Sequence, residues 1–203
     1  TGVQTCALPI CGMHAGDSEY CWVIDPLDGT TNYSQGLPIF TVSIGLQCKG
    51  ETVLGVVYAP YLNELYEACK GKGAMLNGRS IHVSGKNDTQ ESVVSTGFPI
   101  DKDRNPDNNL DNLARILPMV RGVRRQGSAA FDLCCVAAGI LDGYWEFNLH
   151  LWDVCAGILI VTEAGGTVRS FREDRNVSIV AGTPAIVEQL YPRLSDKPGK
   201  ICL

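Results

Sequence analysis

"WVIDPLDGTTNYSQG", Trp22 to Gly36, sets an apolar run against two aspartates three residues apart and then Gly-Thr-Thr-Asn. The apolar residues predict a short buried strand over Cys21–Asp25. Pro26 lacks the N–H that a continuing ladder would need. Asp25 and Asp28 then fall on a turn, close enough for both carboxylates to face one point. Two anions held together raise each other's pKa unless a cation lies between them. A hard divalent ion such as Mg2+ takes oxygen ligands, commonly one or two carboxylates with waters and a substrate phosphate. Gly29 lets the backbone approach a ligand. Thr30, Thr31 and Asn32 read as the start of a short helix, whose free N–H groups accept an anion. An Asx-turn with a Thr cap would explain any single Asp-x-x-Asp. The ordered set points instead to a cation site beside a phosphate site.

Outward from this stretch, "IFTVSIGLQC" (Ile39–Cys48), "TVLGVVYAP" and "NELYEACKGKG" read as successive strands of an antiparallel meander. "IHVS" and "SVVSTG" supply further short strands. Asp101–Asn109, a run of Asp, Asn, Lys and Arg around one Pro, is expected to be a lobe boundary or mobile loop. It would divide a metal-binding sheet lobe, about 11–100, from a C-terminal α/β lobe, about 101–203. A helix is expected from about Asn109 to Val120, with Leu110, Leu113, Ile116 and Leu117 on its apolar face. "GVRRQ" reads as a strand, and Ser128–Ala138 as a buried helix stopped by Gly139. "LDGYWEF" is a strand, and "WDVCAGILIVTEAGG" a helix with Asp153 as its N-cap. "VSIVAG" and a helix from about Pro184 close the chain. Strands and helices so interleaved predict stacked layers of an α+β or α/β class.

Composition bounds the function. The 203 residues are 45% hydrophobic and 19% charged, as in an ordinary globular protein. A net charge of −5 gives no electrostatic reason to expect nucleic acid or an anionic membrane as partner. No apolar run has bilayer length. The nine cysteines are scattered without a CxxC pair, and read as reduced thiols in a cytoplasmic setting. His14, His82 and His150 are too far apart in sequence to indicate a zinc site.

"WVIDPLDGTTN" resembles the signature of the inositol monophosphatase family. "LWDVCAGILIVTEAGG", Leu151–Gly166, resembles the family's second signature, and "GSAA" and "DGYWE" lie between them in the expected order. The resemblance implies a layered α-β-α-β-α sandwich and Mg2+-dependent hydrolysis of a small phosphorylated polyol, with a homodimer as a common state. Asp25 would bridge metal ions, Asp28 and Asp153 would hold a second ion, and Leu27 would offer its carbonyl. Gly29 and Thr30 would donate N–H groups to the phosphate, and the Thr30 hydroxyl would orient the attacking water. Glu146 would bind substrate hydroxyls, and Gly127, Ser128 and Ala129 would line the pocket. Trp152 and Glu163 are read as structural, and Arg124 and Arg125 as a solvated pair, with a place near the pocket as the alternative. Nucleotidases of the same superfamily tend to carry a charged residue soon after Asp-Gly-Thr, where Thr31-Asn32 stands here. That favours the inositol branch over nucleotides, while histidinol phosphate and sugar bisphosphates stay open as alternative substrates, because Glu146 and the Asp101–Asn109 loop do not decide between them.

The N-terminus departs from the family. "TGVQTCALPI", Thr1–Ile10, is what one reading frame of a common sequencing adapter encodes, so residues 1–10 are expected to be non-native and outside the fold. Similar proteins carry a Glu-Glu pair upstream of the Asp-Pro-Leu-Asp turn, one glutamate binding metal and the other supporting the water. Its place falls at Pro9 and Ile10, while Asp17 and Glu19 lie too close to the Asp25 strand to substitute. The expectation is a fragment without the family's N-terminal helices and impaired in catalysis.

Overall fold

A computed structural model describes residues 4–7, 13, 14, 16 and 18–194; for 4–7, 13 and 14 it gives strand placement only. Pro9, Ile10 and Asp17 lie outside the described residues. The first sheet holds β1 (Gln4–Ala7), β2 (Met13–His14), β3 (Tyr20–Asp28), β4 (Thr41–Cys48), β5 (Glu51–Ala59), β6 (Glu64–Cys69), β7 (Ala74–Leu76) and β8 (Arg79–Ile81). Its order is β2-β1-β3-β4-β5-β6-β7-β8, and β3 to β8 form the expected antiparallel meander. β1 pairs in parallel with β3, so Gln4–Ala7, expected to lie outside the fold, contribute a strand. A ladder uses backbone groups alone, which makes it indifferent to side-chain identity.

The second sheet holds β9 (Val93–Thr96), β10 (Gly122–Arg124), β11 (Gly143–Leu149), β12 (Thr167–Ser170) and β13 (Val177–Gly182), in the order β10-β9-β11-β13-β12. The helices are α1 (Thr30–Ser34), α2 (Leu110–Ile116), α3 (Ala129–Ala137), α4 (Leu151–Glu163) and α5 (Pro184–Leu190). α3 and α4 lie between the sheets, touching β4 and β5 on one side and β13 on the other. Every residue of α3 is buried, as a helix covered on two faces requires. The far face of the second sheet buries Val94, Trp145, Phe147 and Val180 against Ile116, Ile186, Val187 and Leu190. The layers therefore run sheet, helices, sheet, helices, a mixed α+β sandwich.

Three local expectations need correction. β3 does not stop before Pro26; its ladder slips between Asp25 and Asp28, and Asp28 again pairs with Thr41. A bulge tolerates the missing N–H of proline, and it turns both aspartates toward one side. The helix expected over Asn109–Val120 is shorter: α2 ends at Ile116, and Leu117–Met119 tightens into a 3-10 turn at Pro118. Ile116 is buried, but Leu110 and Leu117 are about half exposed. Asp153 is not the N-cap of α4. His150 holds that place, and Asp153 sits three residues in, accepting from the His150 N–H at 2.7 Å.

The Asp101–Asn109 loop is tied at several points. Arg175 pairs with Asp101 at 2.9 Å, and Arg172 meets both oxygens of Asp107 at 3.0 and 2.9 Å. Asn109 is fully buried; its Nδ2 donates to Gly97 O at 2.6 Å, and its Oδ1 accepts from Trp145 Nε1 at 3.1 Å. β9 precedes that loop yet belongs to the second sheet, so the sheets part between β8 and β9.

Candidate active site

The bulge of β3, the start of α1, the start of α3 and the first turn of α4 meet at one place. Asp25, Asp28 and Asp153 bring carboxylate oxygens within 4.8 Å of one another. Asp25 is buried, and its Oδ1 accepts from Leu27 N at 3.0 Å, which fixes the turn between the two β3 aspartates. Asp28 Oδ2 accepts from Ser128 Oγ at 2.7 Å and from Ala130 N at 2.8 Å. Ser128 also caps α3 by accepting from Phe131 N at 3.3 Å. The cap of one helix thus orients a carboxylate of the first sheet.

Electrostatics follow from burial and crowding. Burial first, then the charges of Asp153 and Asp25, push the Asp28 carboxyl up to about 7 against two opposing hydrogen bonds. Asp153 is likewise raised to about 7, chiefly by burial and further by Asp25. Asp25 is raised by burial. Three such carboxylates are an unfavourable set unless a cation shares the space, and oxygen donors suit a hard divalent ion. The donor set fits the metal that the sequence implied.

The anion side is equally shaped. Gly29 adopts φ +85° directly before α1, and a Cβ there would stand 2.9 Å from Ile39 O. Thr30 opens α1 beside the cluster and is exposed, and the N–H groups of a helix's first turn have no partner within the helix. Gly127, at φ +87°, has no room for a Cβ either, which would meet the Asn32 side chain at 3.0 Å. Its carbonyl lies against Gly29, bringing the two glycine turns together. Ala129 begins α3 beside them.

Glu146, on β11, is outside the three-carboxylate cluster but within its field. Burial lifts it to about 8, helped by Asp132 and Asp28 and opposed by the Tyr144 hydroxyl, which donates to Oε2 at 2.7 Å. Leu27 is half-buried at the bulge. Trp152 stacks on His150 at 4.4 Å, and Glu163 ties down the β6–β7 turn by accepting from Gly71 N and Gly73 N at 2.7 and 2.8 Å. Arg124 is exposed as expected. Arg125 is exposed too, but its guanidinium reaches over Gly127, where its charge acts on Glu146 and Asp132.

Two residues were missed. Asn32 donates from Nδ2 to Ile39 O and to Gln126 O, both at 2.7 Å, and so stitches α1 to both neighbouring loops. Asp132 is buried in α3 and accepts from Gln126 Nε2 at 2.8 Å. The available signal was a lone carboxylate within the apolar run "AAFDLCCVA".

A carboxylate cluster suited to a divalent ion beside a glycine turn and a helix start, carried on alternating sheets and helices, fits the class of metal-assisted phosphoester enzymes. The model of the inositol monophosphatase family matches residues 6–197. A Pasteurella multocida protein named Nus factor SuhB is 44% identical, over 91% of this chain and 72% of its own length. Inositol-1-monophosphatase of Mesorhizobium japonicum is 43% identical, over 86% of this chain and 67% of its own length. The solved inositol monophosphatase of Anabaena (Nostoc) superposes with a TM-score of 0.88 at 40% identity, covering 94% of this chain and 77% of that one. The chain belongs to the inositol monophosphatase family, a metal-dependent group of phosphatases whose substrates are small phosphorylated molecules.

Proposed function

We propose that the chain is built for Mg2+-dependent hydrolysis of a phosphate monoester, myo-inositol monophosphate in the first instance. The observation that carries this is the convergence of Asp25, Asp28 and Asp153 beside the Gly29–Thr30 turn. Asp25, Asp28, Asp153 and the Leu27 carbonyl would hold the metal, which when bound supplies Lewis-acid polarisation and charge for the phosphate. Phosphoryl transfer asks little else of a protein than positioning and electrostatics. Gly29 and Thr30 present backbone N–H groups to the phosphate oxygens. The Thr30 hydroxyl orients the attacking water. Asp153 borders the alcohol side of the ester, and Glu146 accepts hydrogen bonds from ring hydroxyls. Gly127, Ser128 and Ala129 form the wall.

The substrate choice is supported by the relative named inositol-1-monophosphatase. A staphylococcal relative, 25% identical, is solved with inositol monophosphate bound. The same protein is also solved with 2'AMP bound, at 26% identity, so a nucleotide monophosphate is the second substrate to assay. The alternative is a non-catalytic metal- or phosphate-binding protein on the same scaffold, favoured if the upstream Glu pair is missing; several relatives are named Nus factor SuhB instead of phosphatase. The net charge of −5 supports a setting without nucleic-acid or membrane partners. Among the described residues no helix is long and apolar enough to cross a membrane. We place the protein in the cytoplasm, as a homodimer.

Phosphate release from inositol 1-phosphate, with and without Mg2+, tests the proposal. Turnover that needs Mg2+ and is abolished by Asp25→Asn supports it; metal-independent turnover overturns it. The resemblance puts Pro9 and Ile10 where relatives carry glutamates, so the double variant Pro9→Glu, Ile10→Glu is expected to be faster. Equal rates would remove the reading of an impaired chain.

A further inference from the structure

Asp132 is only 1% exposed, in a helix whose other residues are apolar. Burying a carboxyl is costly unless hydrogen bonds offset it. Its Oδ1 accepts from Gln126 Nε2 at 2.8 Å. The backbone carbonyl of Gln126 in turn accepts from Asn32 Nδ2 at 2.7 Å, and that same amide nitrogen holds Ile39 O at 2.7 Å. Asn32 lies in the first turn of α1, where Tyr33 N donates to Gly29 O at 3.0 Å. Hydrogen bonds therefore link Asp132 of α3 through Gln126 and Asn32 to the Ile39 carbonyl, which packs directly against the Gly29 turn. Gly127 sits inside it with no space for a side chain, and Ser128, the next residue, grips Asp28.

We propose that Asp132 is a positioning residue for the hydrolysis assigned above: through Gln126 and Asn32 it holds the Gly127 loop against the Gly29 turn. The inference rests on the phosphatase reading only for its catalytic consequence. The string fixes the spacing between the phosphate-facing N–H groups of Gly29 and Thr30 and the Ser128-held carboxylate of Asp28. Its loss frees Gln126 and the loop behind it. What the string requires of residue 132 is an acceptor oxygen, not a charge. Asp28 and Glu146 face this carboxyl with like charge, and Arg125 supplies the opposing cation. Asparagine keeps the acceptor and removes the repulsion; leucine fills the same buried space without an acceptor.

Asp132→Asn, Asp132→Leu and Gln126→Ala in the whole chain test the proposal. Asp132→Leu and Gln126→Ala are expected to lower kcat/KM about 10- to 100-fold, the scale of a small misplacement, with Asp132→Asn within about threefold of the parent. Gln126 is only half-buried, so Gln126→Ala keeps the test open should Asp132→Leu fail to fold. A fully active Asp132→Leu, or an Asp132→Asn as poor as Asp132→Leu, overturns the proposal. The second readout needs no catalysis: the Gly29 and Gly127 amide resonances of ligand-free protein. They are expected to move in Asp132→Leu and Gln126→Ala and to stay in Asp132→Asn; unmoved resonances in all three overturn the proposal. If the parent itself releases no phosphate from any monoester, the phosphatase reading fails, and these resonances alone decide the role of Asp132.

Discussion

The hydroxyl of Ser128 donates to the carboxylate of Asp28 at 2.7 Å, joining the cap of α3 to the three-aspartate cluster through a side chain 100 residues earlier in the chain. The same oxygen caps α3, so Ser128→Ala removes two interactions at once. Loss of the cap is expected to cost about 1 kcal/mol of stability. Loss of the bond to Asp28 removes one of the two contacts that hold its pKa down. Mg2+ affinity should fall at pH 7 and recover toward the parent's at pH 9, where Asp28 is ionised regardless. Calorimetric Mg2+ titrations at the two pH values check this; an unchanged affinity at pH 7 would detach Asp28 from the metal.

Mg2+ should stabilise the protein more at high pH than at low pH. Asp28 and Asp153, lifted to about 7, bind protons more tightly in the folded than in the unfolded chain. Their contribution to metal-free stability is complete below pH 4 and is lost as pH rises through about 7. Bound Mg2+ competes with those protons and offsets the repulsion that replaces them. With Mg2+ at about a hundredfold Kd, the gain at pH 8 should approach about 2.7 kcal/mol, and it should shrink at pH 5.5. Thermal melts with and without Mg2+ across this range give the answer. A metal-induced shift independent of pH would mean the three carboxylates are not its ligands.

The fold was legible where chemistry is local. Apolar alternation in Thr41–Ala59 and the apolar run of α3 each admit one structure. The candidate site was legible because Asp25, Asp28, Gly29 and Thr30 fall within six residues, so one stretch of sequence holds two of its carboxylates and the glycine turn beside them. What could not be read depends on distant partners. The bulge that carries β3 past Pro26 is set by pairing with Thr41. Leu110, Leu113 and Leu117 share helical spacing, but α2 stops at Ile116, and Leu110 and Leu117 stay about half exposed while Ile116 is buried. Asn32 and Asp132 acquire their roles from Gln126, which no local periodicity places between them.

The Asp101–Asn109 loop should be far more sensitive to Asp107 than its loop-like composition implies. Asp107 and Arg172 are both buried and share two hydrogen bonds, with Arg172 also over the ring of Phe147. Asp107→Ala leaves the guanidinium buried with only the exposed Asp174 as carboxylate partner. A loss of about 3 kcal/mol is expected, the lower end for breaking a buried pair. Asp103→Ala, which breaks only the exposed pair with Arg104, should cost less than about 0.5 kcal/mol. Urea unfolding of both variants makes the comparison, and equal stabilities would show that the loop is not anchored through Arg172.

Gly29→Ala should separate the anion side of the site from the cation side. At φ +85° an alanine is strained, and its Cβ would meet the carbonyl of Ile39, backbone that cannot swing away. The expected cost is about 1–3 kcal/mol, the range for a non-glycine residue forced into a sparse backbone region. Relief requires the turn to move from Ile39 and from the Gly127 carbonyl, taking the N–H groups of residues 29 and 30 with it. Asp25 and Asp153, held by Leu27 N and His150 N, need not follow. Mg2+ binding should therefore survive in Gly29→Ala while inorganic phosphate no longer binds to the Mg2+-loaded protein. Calorimetry with each ligand in turn measures both. Loss of Mg2+ binding together with phosphate binding would show that the two halves of the site are one mechanical unit, not two that meet at Asp28.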